Sequence, residues 1–214
     1  MNEQIDFWGD LLFKTKLFFE KEFVGKTKIR FFSVAIVVFC LGTGIDRVDT
    51  QLVKFDMRGN LDQIEFINNW LGYWGFSILI GAIGGYILYL IGGWFYNVRV
   101  TWSGGTGNLD QSRNIYVYSN FFNLLIIILI SIFETLKNTI PYDPMLELEI
   151  SDLVTSLFLL FFLFHSIYLS FTGVTTVTNV DVGKARIWFV LLPILIYLIS
   201  FGALFMIFMS YFEY

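Results

Sequence analysis

The chain has 214 residues, of which 56 % are hydrophobic and 15 % charged, with a formal net charge of −4. A soluble domain averages nearer ~25 % charged residues, so too few charges are present to cover a water-facing surface, and an ordinary soluble globular domain is excluded. The single cysteine, Cys40, excludes an internal disulfide.

In chain order, residues 1–30 come first as a segment of mixed character. Trp8, Leu11, Leu12, Phe18 and Phe19 recur near helical spacing, with Asp10, Lys14, Lys16, Lys21 and Glu22 between them. This predicts an amphipathic helix. It lies in the membrane interface with its lysines among anionic head groups, or it packs on a helix bundle or another subunit.

Five apolar runs follow, at 31–45, 71–95, 117–133, 153–177 and 187–209. A hydrocarbon core about 30 Å thick needs ~20 apolar residues in a helix rising ~1.5 Å per residue, which makes each run a candidate span. The expected fold is all-α: a polytopic membrane protein with a five-transmembrane-helix bundle over 31–214 and an amphipathic N-terminal interfacial helix over 1–30. Trp70, Trp74, Trp94, Trp102 and Trp188 fall near the run ends, where indole rings prefer to sit.

Each run carries its own polar or small residues. The second contains Gly81 and Gly85 as a small-xxx-small pair, with Gly92 on nearly the same face, so a neighbouring backbone can come close. This span is expected to be the central helix, and its glycines to serve packing within the chain or a partner interface. After it, Gly104, Gly105 and Gly107 form a glycine loop that lacks the Lys-Ser/Thr pair of a phosphate cradle. Asn120 and Asn123 share a face of the third run, to bond another helix or to line a shallow polar cavity. His165, the only histidine, falls in the middle of the fourth run. It reads either as a neutral imidazole bonded to a facing helix or as an intramembrane functional site. Pro193 is expected to kink the fifth span.

Basic residues set the orientation. Lys14, Lys16, Lys21, Lys26, Lys28 and Arg30 precede the first span, and Arg99, Arg113, Lys184 and Arg186 lie in the loops on the same side. Arg47, Lys54, Arg58 and Lys137 lie opposite. The positive-inside rule places the N-terminus in the cytoplasm and the C-terminus outside. The outer loops hold the acidic residues Asp46, Asp49, Asp56, Asp62, Glu65, Asp143, Glu147, Glu149 and Asp152. No catalytic residues, metal ligands or cofactor motif emerge, and no basic stripe suits nucleic acid. The expected partners are membrane lipids and other membrane proteins or further copies of the chain.

The segment Gly104-Gly105-Thr106-Gly107-Asn108-Leu109-Asp110-Gln111-Ser112, with Ile115, Tyr118 and Ser119, resembles the loop and helix start of bacterial Yip1-domain proteins. So do Gly173-Val174, Asn179-Val180 and Gly183-Lys184-Ala185, and the resemblance covers residues 31–209. The aspartate-leucine-tyrosine-glycine-proline motif of the eukaryotic branch is missing from the N-terminal segment. The resemblance implies a membrane protein that binds partners in trafficking or organelle shaping, without catalytic residues, in the bacterial inner membrane. Two functions are thus expected: a non-enzymatic scaffold or accessory subunit that binds membrane proteins or shapes lipid, or a transport or lipid-translocation component with a polar path near His165, Asn120 and Asn123.

Overall fold

The computed structural model describes residues 2–26, 28–145 and 150–212, with side chains described except at 2–5, 151–152 and 203–212. The acidic residues Glu147 and Glu149, and the side chain of Asp152, lie outside the described residues.

The N-terminal segment forms two helices, α1 (Asn2–Phe13) and α2 (Thr15–Glu22), where one was expected. They break at Lys14, and Thr15 Oγ1 donates back to Leu11 O across the joint. Most of their apolar face is buried: Phe7, Leu11, Phe18, Phe19 and Phe23 are at most 2 % exposed, while Phe13 and Leu17 stay exposed. Trp8 stacks on Phe121 with centroids 4.3 Å apart, and Phe7 packs edge-on against Phe18 and Phe31. The amphipathic stripe therefore packs on the bundle, and residues on both sides of position 30 share one core. Phe31, whose φ of 55° lies in the left-handed region that bulky residues avoid, turns the chain from this hairpin into the next helix.

Helix α3 (Phe32–Met57) runs well past the first apolar stretch. Asp46, Arg47, Asp49, Lys54 and Asp56, expected in a loop, are helical instead. Ile45, Val48 and Leu52 continue the buried stripe at spacings of three and four, so the helix keeps a core face while its opposite face turns polar. Helix α4 (Trp70–Trp102) is capped by the Asn69 side chain, which accepts from Gly72 N, and contains one wide π turn at Gly81–Gly85. Helix α5 (Leu109–Lys137) starts at Asn108, whose side chain accepts from Asp110 N and Gln111 N. Helix α6 spans Ile150–Val177. In α7, Val182–Arg186, the π turn Ile187–Leu191 and Leu192–Phe212 run on as one helix.

The central helix is α5, not the glycine-rich α4. It packs against α3, α4 and α6, and 44 % of its apolar window is buried against 17 % for α4. The glycines bring neighbours to one face of α4 only; Ile78, Ile83, Ile87, Ile91 and Trp94 point outward on the other.

Hydrogen bonds define two ends. At one, Tyr118 Oη donates to Arg30 O at 2.6 Å and Asp181 N donates to Ser103 O at 2.8 Å. This end gathers the N-terminal hairpin with the 103–108 and 178–181 turns. At the other, Asn68 and Tyr142 exchange two bonds of 2.9 Å, and Trp70 Nε1 donates to Asn138 O. Five helices, α3 to α7, connect the two ends. Four of them, within Trp70–Trp102, Leu109–Lys137, Leu153–Val177 and Val182–Gly202, are long and apolar enough to cross a membrane, so the protein is a polytopic helical membrane protein. The first apolar run does not qualify, because Asp46, Arg47 and Asp49 follow it too soon within α3.

Candidate functional site

The helix-packing glycines divide between two contacts. A Cβ on Gly81 would stand 2.5 Å from Cys40 O, and one on Gly85 2.7 Å from Cys40 Cα, so both face the α3 backbone. Gly44 on α3 returns the contact against Ser77 O and Gly81. Gly92 belongs to a different seam, where a Cβ would meet the Tyr116 ring of α5 at 2.6 Å. All three are thus occupied by this chain's own helices.

The glycine loop is built as a turn. Gly104 adopts φ +79°, Gly105 N donates to Val100 O, and a Cβ on Gly107 would press on Asn97 Oδ1 at 2.8 Å. Its geometry reverses the chain between α4 and α5, and Ser103 O is already taken by Asp181 N. Among the described residues no group of three or more His, Cys, Asp or Glu converges on a point.

His165 and Asn120 each bond a backbone carbonyl. His165 Nε2 donates to Leu12 O at 3.2 Å, with Phe122, Phe161 and Phe162 around the ring, so the histidine pins α6 to the end of α1. Asn120 Nδ2 donates to Tyr116 O of its own helix at 2.8 Å. Of His165, Asn120 and Asn123, only Asn120 lines the cavity described next.

That cavity, about 310 Å³, lies between α4, α5, α6 and α7 at the basic end of the bundle. Arg99, in the last turn of α4, is the one charged side chain in its lining among the described residues. The guanidinium carbon sits 4.7 Å from the Phe189 ring centre, 5.0 Å from Tyr96 and 5.4 Å from Phe95. Nη1 donates to Trp188 O at a long 3.4 Å, and the buried Nε has no partner. Tyr116, Ser119 and Asn120 line the α5 side, Ser170 and Ile167 the α6 side. Tyr96 Oη, bonded to Ser170, ties α4 to α6 beside it. The α7 wall exists because Pro193 has no N–H to give Phe189 O. The preceding turn widens, Leu192 N bonds Ile187 O, and Phe189 is turned fully inward.

Two features escape a linear reading. Arg99 counts there only as one of the basic residues that orient the chain; the clue is Tyr96 one turn before it, at the end of an apolar run. Asp49 reads as a loop acid, yet it accepts from Tyr73 Oη at 2.8 Å, which also meets Ser131 Oγ at 3.1 Å. At the N-terminal hairpin, Glu22 is 1 % exposed and accepts from Arg30 Nη2 at 2.6 Å and from Lys26 Nζ at 3.4 Å. Burial pushes its carboxyl up, but the hydrogen bond and charge of Arg30, joined by Lys26, outweigh that and hold it below the usual carboxylate range.

A family model of the Yip1 domain matches residues 29–204. Neither the curated proteins nor the solved structures gave a match to this chain.

Proposed function

Because the chain belongs to the Yip1 domain family, whose members are generally non-enzymatic membrane proteins involved in trafficking, we propose that it is a membrane scaffold or accessory subunit. On this reading it acts by holding other membrane proteins, further copies of itself or lipid. It crosses the bacterial inner membrane five times, α3 being the fifth span, with the hairpin of α1 and α2 in the cytoplasm and the C-terminus outside. The two-sided arrangement of basic residues supports that orientation.

One observation carries the scaffold reading: the space between the Arg99 cavity and the opposite end is filled. Phe39, Phe121, Leu124 and Ile128 pack there, with Gly42 against Leu124 and Gly44 against Ser77 O. The hydroxyls of Ser119 and Ser131 donate to their own helix carbonyls. A translocation path would need a continuous polar route.

The experiment is reconstitution of the purified chain alone, paired with photocrosslinking in native membranes from the exposed α6 positions Phe158 and Phe161. Dithionite access to fluorescent inner-leaflet lipid should match protein-free vesicles, and crosslinking should give one discrete adduct. Lipid scrambling or solute flux by the chain alone would overturn the proposal.

A further inference from the structure

We propose that the Arg99 cavity binds the phosphate of an anionic membrane phospholipid, held by the guanidinium, with an acyl chain leaving along α7. The lining carries a single charge, and it is positive. No carboxylate lies within ion-pair distance of Arg99 among the described residues. A cation taken out of water without a counter-ion is costly. Here its faces are held by Phe95, Tyr96 and Phe189, which fix its position but cannot neutralise it, and its Nε is buried with no acceptor. An anion supplied from outside the chain completes the site. The planar donor fork of arginine suits phosphate oxygens.

Depth and surroundings select a lipid over free phosphate. Arg99 lies one turn inside Trp102, whose indole packs against Trp188 at 4.6 Å, as interfacial tryptophans do. Besides the hydroxyls of Ser166, Ser170 and Tyr197, the lining includes the apolar side chains of Ile167, Leu192, Pro193 and Ile196. Ile196, half exposed, takes the lining out to the apolar surface of α7, where its neighbours Leu191 and Leu195 are also exposed. A head group entering sideways from that leaflet would meet Arg99 while its chains stayed in hydrocarbon. A cavity of about 310 Å³ is at the small end of ligand sites, large enough for a phosphodiester group and the first chain carbons.

The test is native mass spectrometry of delipidated protein in detergent, titrated separately with phosphatidylglycerol, phosphatidylcholine and inorganic phosphate. The expected result is one saturable phosphatidylglycerol adduct, at least tenfold weaker for phosphatidylcholine and absent for inorganic phosphate. Arg99→Gln should weaken it tenfold or more, and Arg99→Lys should recover part of the loss. Ile196→Trp, which fills the apolar half and leaves the charge in place, should also abolish it, so a folding defect in one variant does not decide the outcome. Each variant is first matched to the parent by size-exclusion profile. Undiminished phosphatidylglycerol binding by both Arg99→Gln and Ile196→Trp overturns the site. Equal binding of phosphatidylcholine overturns the role of charge, and tight binding of inorganic phosphate overturns the lipid. None of these outcomes bears on the scaffold reading, whose failure would show as lipid scrambling or flux.

Discussion

Alanine at Gly81 or Gly85 should destabilise the protein, whereas alanine at Gly84 or Gly75, on the same helix, should be neutral or stabilising. In a helix interior Gly→Ala gains ~1 kcal/mol from propensity alone. At Gly84 the new methyl would meet nothing nearer than Ile80 Cγ2 at 3.9 Å, and at Gly75 nothing within 4 Å, so the gain stands. At Gly81 and Gly85 the methyl would fall 2.5 Å from Cys40 O and 2.7 Å from Cys40 Cα. Those are backbone atoms of a packed helix, which cannot swing aside as a side chain can. Overpacking of that kind costs ~1–3 kcal/mol, enough to cancel or exceed the propensity gain. The gap between the two pairs of variants should therefore be about 1–3 kcal/mol. For a chain of this size that is several degrees, at about 2–4 °C per kcal/mol. Thermal unfolding in one mild detergent, followed by tryptophan fluorescence, measures it. If Gly81→Ala and Gly85→Ala melt at or above Gly84→Ala, the close approach of α3 to α4 is wrong.

His165→Gln, which keeps a donor for Leu12 O, should melt near the parent, while His165→Leu should lose ~1 kcal/mol through the unpaired carbonyl; equal melting of the two variants would remove the histidine's role as a tie. Arg30→Met should loosen the N-terminal hairpin by about 1.5–3 kcal/mol, because Glu22 stays buried and loses its shortest bond; faster hydrogen exchange over residues 7–23 is the readout. Since the Glu22 carboxyl is held down in the folded protein, its contribution is complete above the unfolded value of about 4.3 and is lost as the pH falls below that through the lower folded value. The hairpin should accordingly undock on acidification, and Glu22→Gln should flatten that acid limb. In a Cys40→Ala background, cysteines at Asp62 and Asp143 should label from the outside of intact cells and cysteines at Lys16 and Thr106 only after permeabilisation; labelling of the Lys16 and Asp62 positions from the same side would reject α3 as a fifth span.

The sequence by itself determined that this chain is a helical membrane protein, where its long spans lie, and which family it resembles. Those properties follow from composition and from local periodicity of apolar residues, which tertiary contacts do not alter. It also marked Gly81, Gly85 and Gly92 as places where something comes close, since a missing side chain is visible in one dimension. Only the tertiary structure decided what came close: Cys40 of α3 for two of them and Tyr116 of α5 for the third. The N-terminal stripe was legible as amphipathic, but lipid and a protein groove ask for the same apolar face, so packing on the bundle needed Phe121 and Tyr118 to be placed beside it. Asp46 to Asp56 looked like a loop because charge dominates a linear window, while the buried Val48 and Leu52 among them, in line with Ile45 before them, kept α3 helical. Arg99 was invisible as a site for the same kind of reason. An arginine near a span end is ordinary in sequence, and its place among aromatic rings, away from the described carboxylates, arises only when residues 95–99, 116–120, 166–170 and 189–197 are brought around one cavity.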